Sequence, residues 1–338
     1  MQMLITNGNS SETDDFITIL LKLNGNNCNM QCEYCYNHVQ KISIADNDND
    51  KALSAIKFLS GYTHYQHVLI VFHGGEPLLS PIEELSAILD YIKKCFRNII
   101  HVQIQTNGTL LNSKWLSLFQ KYNDILSVSI SIDPLGKKDL RVYPEYTSRD
   151  KVLENAFLCS GMLKNTGIIS VIHKKNIESI TTFIRFLMEH GIKNFTINKY
   201  QSTLLPEQDD YYITEMEYTN ALITITKYII SEHIYKDINI QPIYSLFSKN
   251  GSKICRYMPN ENKCRYFKTY FSNTNYYEYC DHIIDNLPST VTSKCHECDI
   301  YSKCGSGCLV EKKDDTFCLA RKKLVVFLEE MRNENIKS

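Results

Sequence analysis

The chain has 338 residues, a formal net charge of -1 and 43% hydrophobic residues. That length supports one large domain, or a domain with a smaller module. The balanced charge leaves no basic footprint for nucleic acid or an anionic membrane. No apolar run reaches roughly 18 residues, so no transmembrane helix is expected. The polar, acidic start MQMLITNGNSSETDD carries no signal segment, which predicts a cytoplasmic protein.

Thirteen cysteines in a reducing compartment point to metal binding rather than to disulfides. Cys28, Cys32, Cys35, Cys95 and Cys159 precede residue 250, and the other eight crowd the C-terminal quarter. That asymmetry predicts two modules.

In chain order, FITILLKL (16–23) predicts a first strand, followed by a loop that gathers Cys28, Cys32 and Cys35. ADNDNDK (45–51) lacks the glycine and glutamate of a calcium loop and reads as a helix cap in a solvated loop. HVLIVFH (67–73) predicts a second strand that runs into GGEP. A helix follows over 82–96, with Leu85, Ile88, Leu89, Ile92 and Phe96 on one stripe. The next strand covers 100–106, and Asn112 reads as the N-cap of a helix through 121. Strands over 125–133, 167–173 and 193–198 alternate with helices over 151–165 and 177–190, the latter stopped by Gly191. Strands separated by helices argue for parallel βα units. An open doubly wound sheet and a partial barrel both fit this periodicity. A polar, turn-like stretch begins at 201, followed by a helix over 213–231. After residue 250 the segments between cysteines are short, until a last helix over 320–333.

The first cysteine loop follows a strand, where βα architectures place active sites. Three thiolates hold three irons of a [4Fe–4S] cluster and leave the fourth open to a ligand. A structural zinc site is the rival, but it wants four closed ligands and no fourth lies nearby. Three buried cysteines are the bland alternative.

CNMQCEYC resembles the signature of the radical S-adenosylmethionine (SAM) enzymes, three cysteines with an aromatic before the last. The resemblance implies that SAM chelates the open iron and is cleaved to a 5′-deoxyadenosyl radical, with Tyr34 near the adenine. HGGEP (73–77) resembles the family's GGEP motif, which implies that Gly74, Gly75 and Glu76 hold the methionyl amino group; His73 reads as structural. QTNGTLL and SISID resemble ribose- and carboxylate-contacting segments, which implies roles for Thr106, Asn107, Ser129 and above all Ser131. Pro134 stands where the family often has glycine. Arg141 falls near a cofactor- or substrate-facing arginine of relatives.

The spacing Cys264-x15-Cys280-x14-Cys295-x2-Cys298-x5-Cys304-x3-Cys308-x9-Cys318 resembles the SPASM motif of radical SAM enzymes that modify peptides and proteins. Asn275 replaces its usual glycine, and asparagine tolerates the same left-handed turn. The resemblance implies two auxiliary [4Fe–4S] clusters, the nearer on Cys264, Cys280 and Cys308 with Cys255 as fourth ligand. The farther would use Cys295, Cys298, Cys304 and Cys318. A zinc ribbon would use only four cysteines. Cys95 and Cys159 lie on apolar helix stripes and read as core. Asp281 matches the position of a proton-accepting aspartate in sulfatase-maturing relatives.

The expected architecture is therefore an α/β partial (β/α)6 barrel over 1–200, a bridging helical segment over 201–250 and a SPASM module over 251–338. The expected cofactors are SAM and three [4Fe–4S] clusters. The expected activity is maturation of a ribosomally made precursor peptide by side-chain hydrogen abstraction, most readily giving a carbon–carbon or carbon–sulfur cross-link. Oxidation of Ser or Cys to formylglycine is the alternative, favoured by Asp281 but not by His73, since those relatives usually carry Gln there. A non-enzymatic iron–sulfur electron carrier is the third. The expected partners are a peptide or protein substrate and an electron donor of flavodoxin or ferredoxin type. With only fifteen residues before the first strand, a leader would bind the barrel and SPASM groove or a separate leader-binding protein, and epimerisation and backbone excision are further alternative reactions.

Overall fold

β-Branched runs separated by amphipathic segments give alternating strands and helices. The computed structural model describes residues 16–35, 37, 50–202, 205–247, 255–258, 263–272, 275–277, 280, 292–308, 312 and 315–335. The strands are β1 (Phe16–Leu21), β2 (His67–Phe72), β3 (Ile99–Thr106), β4 (Leu126–Ser131), β5 (Thr166–Ile172), β6 (Asn194–Lys199), β7 (Asn239–Gln241), β8 (Phe267–Ser272) and β9 (Asn275–Tyr277). They form one sheet in the order β7-β6-β5-β4-β3-β2-β1-β8-β9. All pairs from β1 to β7 are parallel. The order never reverses along that run, so each βα unit turns the same way and the sheet curls. A doubly wound sheet would reverse at a switch point. The fold is an α/β barrel, open between β7 and β9.

The strands past residue 200 extend this sheet. β8 lies parallel to the free edge of β1, with Thr18 opposite Phe267 and Leu21 opposite Tyr270. β9 turns back antiparallel on β8. None of β7, β8 and β9 has enough alternation to announce itself in the sequence.

Alternate strand residues divide outside from lumen. Ile17, Ile19, Leu21, Val68, Ile70, Phe72, Val102 and Ile104 are buried in the core. That core includes Leu85, Ile88, Leu89 and Ile92 of α2 (Ile82–Cys95). The other face is polar along β3 and β4, where the His101 ring stands 2.9 Å from Ser127 Oγ and Gln103 Nε2 donates to Ser129 Oγ at 2.7 Å.

Side-chain caps set the helix starts. Asp50 accepts from Leu53 N at the start of α1 (Lys51–Ser60), and the rest of the expected capping loop, 45–49, lies outside the described residues. Asn112 caps α3 (Ser113–Lys121) through Lys114 N and Trp115 N. Ser148 caps α4 (Arg149–Met162), which therefore starts and ends earlier than periodicity predicts. The 177–190 segment splits into a 3-10 turn (Ile177–Ser179) and α5 (Ile180–Glu189), and Gly191 follows at φ 84. A capping box of Thr214 and Glu217 starts α6 at Glu215–Ser231 rather than at 213. The short α7 (Ile243–Phe247), α8 (Ser293–His296) and α9 (Tyr301–Cys304) precede α10 (Asp315–Asn335). The last helix runs longer than expected and packs along α6, where Thr219 Oγ1 donates to Ala320 O and Lys323 Nζ to Asn220 Oδ1. Cys159 is fully buried and Cys95 is half-buried against the core. No helix among the described residues is long and apolar enough to cross a membrane.

Candidate active site

Backbone hydrogen bonds stitch the cysteine loop to the segment after β2. His73 N donates to Leu21 O (3.0 Å), Gly75 N to Gly25 O (2.8 Å) and Glu76 N to Asn27 O (2.9 Å). The two chains cross so closely that side chains have no room. A Cβ on Gly75 would lie 1.7 Å from Asn27 O, and one on Gly74, at φ +115, 2.4 Å from Gly25 O. Gly74 O accepts from Asn37 Nδ2, and Asn37 Oδ1 accepts from the buried Lys22 ammonium at 2.9 Å. Lys22 also lies over the Phe271 ring, 5.0 Å from its centroid.

Glu76 is fully buried. Its Oε1 accepts from Leu78 N (2.9 Å) and Thr106 Oγ1 (2.7 Å), and its Oε2 from Asn107 N (2.7 Å). Burial pushes its pKa up, while these three hydrogen bonds oppose the rise. Both carboxylate oxygens thus face donors of the chain, which ties the tip of β3 to the GGEP turn. Asn107 reaches the other way. Its Nδ2 donates to Asn29 Oδ1 (2.8 Å) and lies 3.6 Å from Cys28 Sγ. Thr109, which the sequence reading passed over, donates to Asn107 Oδ1 (2.6 Å) and accepts from Asn29 Nδ2 (2.8 Å). Its signal was the Asn-Gly-Thr turn, an Asx geometry with Gly108 at φ +78.

The segment between β4 and α4 folds back over the cysteine loop. Glu33 N donates to Leu140 O (2.9 Å), and Lys138 pairs with Glu33 (2.7 Å). Beneath them, Tyr34 OH donates to Asp133 Oδ2 (2.6 Å) and accepts from Arg141 Nη1 (2.9 Å). Asp133 Oδ1 takes Val171 N (2.8 Å). Burial pushes the Asp133 carboxyl up, and the Arg141 charge opposes it. Arg141 is 8% exposed, and its Nε is buried with no acceptor among the described residues. Ser129 is buried against Gln103, and Ser131, at the end of β4, is half-buried.

The three thiols lie within electrostatic reach of one another. Burial raises the Cys28 thiol, with a hydrogen bond from Met30 N opposing and the Cys35 charge adding to the rise. Burial pushes Cys32 up to about 11, against the field of Arg141, and both neighbouring thiols add to it. Buried thiols stay neutral unless a metal group takes the thiolate charge. Met30 N at 3.4 Å and Asn107 Nδ2 at 3.6 Å are both placed to donate to Cys28 sulfur. Among the described residues no three His, Cys, Asp or Glu side chains are grouped as ligands of a single metal ion. Cluster thiolates bind separate irons, so they need not converge on one point. The coupled thiols, their N–H donors and the unspent Arg141 donor fit a [4Fe–4S] group.

In the C-terminal segment, Cys295 and Cys304 are buried, and Cys264, Cys280, Cys298, Cys308 and Cys318 are partly so. Cys318 feels the charges of Cys295 and Cys298, which places the three near each other. Burial opposes ionisation of Cys295, but hydrogen bonds from Thr292 and Lys312 outweigh it and lower the thiol. Cys255 opens a 3-10 turn (Cys255–Tyr257). Asp281 lies outside the described residues.

A family model described as Radical SAM superfamily matches residues 25–214, more than half of the chain. The chain belongs to the radical SAM superfamily. An uncharacterised protein of Methanocaldococcus jannaschii is 31% identical over 57% of this chain and 68% of its own length. A serine-type anaerobic sulfatase-maturating enzyme of Bacteroides thetaiotaomicron is 34% identical over 33% of this chain and 28% of that protein. A cysteine-type enzyme of Clostridium perfringens is 23% identical over 61% of this chain and 58% of that one. The chain thus aligns with well under two thirds of either maturating enzyme. The solved structure of native anSMEcpe with bound AdoMet superposes at TM-score 0.76 and 18% identity, over 94% of this chain and 99% of that one. Streptococcus suis SuiB bound to S-adenosylmethionine gives 0.63 and 16%, over 90% and 76%. These two likenesses establish the fold. Radical SAM membership brings SAM and a [4Fe–4S] cluster as cofactors.

Sequence reasoning also missed a group beside the mouth. His173, buried just after β5, meets Tyr200 and Tyr211 edge-on at 6.3 and 5.7 Å between ring centroids. Lys175 N donates to its Nδ1 (3.2 Å).

Two expectations follow from this geometry. Gly75→Ala, which forces apart the GGEP turn and the cysteine loop, is expected to lose cluster iron and lower the melting temperature. Gly161→Ala, with nothing within 4 Å, is expected to be neutral or mildly stabilising. An iron assay and thermal unfolding of both check this. The second concerns acid. Burial lowers the His173 pKa from 6.5 to about 4. Over that window the unfolded chain binds the extra proton, so stability falls as pH drops from 6.5 towards 4. His173→Gln is expected to show a shallower loss, read by urea unfolding across that range.

Proposed function

We propose that the chain is a radical SAM maturase that abstracts a hydrogen from a side chain of a peptide or protein. One observation carries the reading: a loop of three coupled thiols is held at the barrel mouth by the GGEP strap. When loaded, the cluster supplies the electron that cleaves SAM to the hydrogen-abstracting radical. The chain's own residues set the stage. Gly74 and Gly75 bring the β2 turn against the loop, Asn107 and Met30 donate towards Cys28, Ser131 ends β4, and Thr106 ends β3 with its hydroxyl on buried Glu76. We place Ser129, Ser131, Tyr34 and Asn107 around the SAM ribose, adenine and carboxylate. Glu76 acts by holding the β3 tip.

Two substrates classes are carried forward. Oxidation of a peptidyl Ser or Cys to formylglycine is supported by the sulfatase-maturating relatives and by the likeness over nearly all of anSMEcpe, which has been solved with a bound Cp18Cys peptide. In that reading Asp281 takes the proton that accompanies oxidation. Cross-linking of a precursor peptide is supported by the likeness to SuiB, solved with its precursor peptide SuiA at TM-score 0.62. We assign the C-terminal cysteines to two auxiliary clusters, Cys255, Cys264, Cys280 and Cys308 on one and Cys295, Cys298, Cys304 and Cys318 on the other. A low-potential donor of flavodoxin or ferredoxin type would reduce the centres, and a leader peptide would use the mouth or a separate binding protein.

Anaerobic protein given SAM and dithionite is expected to release 5′-deoxyadenosine, and Cys28→Ala to release none. Equal release from both proteins rejects the enzyme in favour of an electron carrier. Mass spectrometry of a Cys-containing sulfatase peptide then separates the products, because formylglycine reacts with hydrazines and a cross-link does not. The cluster assignment predicts roughly twelve irons per chain. Cys298→Ala is expected to lower that count by up to about four while the EPR change on adding SAM persists.

A further inference from the structure

We propose that Arg141 sets the charge and the seating of the cysteine loop, with its buried guanidinium favouring the reduced state of the group held by Cys28, Cys32 and Cys35. This rests on the assignment of a cluster to those thiols.

A guanidinium carries five N–H groups and stays charged at any working pH. Here one is given to Tyr34 OH at 2.9 Å, and Nη2 lies 3.8 Å from Met30 Sδ, a weak acceptor. Nε has no partner among the described residues, although Arg141 is only 8% exposed. Buried donors in native interiors carry partners, so this one calls for an acceptor. The partners of the Arg141 Nη atoms, Tyr34 OH and Met30 Sδ, come from the cysteine loop itself. Sulfur of an iron–sulfur group is the acceptor chemistry that such a loop would hold.

Arg141 is not directly paired with Asp133, because Tyr34 OH stands between them and Asp133 spends its other oxygen on Val171 N. A direct bidentate pair would spend the cation on the carboxylate. The bridged arrangement leaves positive field for the loop, and that field already acts on Cys32. Arg149 is held elsewhere, by Asp133 O and by Asp139 at 3.9 Å. Reduction adds one electron from a low-potential donor of flavodoxin or ferredoxin class, and no bond forms or breaks. Added negative charge beside a buried cation and N–H donors is stabilised, which raises the potential. The same side chain seats the loop, since Glu33 N···Leu140 O and Arg141···Tyr34 together clamp it to the β4–α4 segment.

The test is EPR-monitored redox titration of anaerobically reconstituted wild type, Arg141→Lys and Arg141→Gln, each at matched iron content. The cluster on the first loop is singled out as the signal that changes when SAM is added. The midpoint is expected to move to more negative potential in Arg141→Gln, with Arg141→Lys in between. An unchanged midpoint in both variants overturns the proposal. So does an unchanged midpoint in Arg141→Lys when Arg141→Gln fails to retain iron. Wild type that forms no SAM-responsive signal fails the cluster assignment itself, which is a different outcome.

Discussion

A fully buried carboxylate governs the mouth of this barrel. Glu76 is out of water, and only Leu78 N, Thr106 Oγ1 and Asn107 N make its burial tolerable. Each hydrogen bond to a charged group is worth about 1.5–3 kcal/mol, and a stranded partner costs a comparable amount. The carboxylate therefore fixes the separation of the β2 and β3 tips. Asn107, held by its backbone to Glu76, is then positioned to reach Asn29 and Cys28 with its side chain. The cysteine loop inherits its place from this chain of bonds and from the amides of Gly75 and Glu76.

The motif glycines and the cysteines do different physical work. Gly74 and Gly75 are small because another backbone passes over them, which is a steric demand set by the chain itself. Burial raises the Cys28 and Cys32 thiols, so these two ionise only when a bound cationic group stabilises the thiolates. Two clasps close on the loop from opposite sides, one from the β2 turn and one from the β4–α4 segment through Leu140, Arg141 and Lys138.

Much of this was legible from residue order. The cysteine spacing and GGEP are local signals, and so is the Asn112 cap. The six long strands emerged because each carries its own alternation. Periodicity left a doubly wound sheet and a barrel open, because strand order depends on pairing. The partners of Glu76 were hidden for the same reason, since Thr106 and Asn107 meet it only across neighbouring strand tips. Gln103, Thr109 and His173 likewise acquire their roles from register. Arg141 could be placed near the mouth, but its bond to Tyr34 needed the fold of the intervening loop.

The pairing of β8 with β1 has a further consequence. β1 takes one of its two neighbours, β8 (Phe267–Ser272), from much later in the chain. A ribosome must therefore have delivered most of the chain before the sheet can be completed, and until then β1 presents a bare row of amides and carbonyls. Such late closure makes this a slow-folding, high-contact-order topology, whose assembly intermediates invite strand exchange with neighbouring nascent chains.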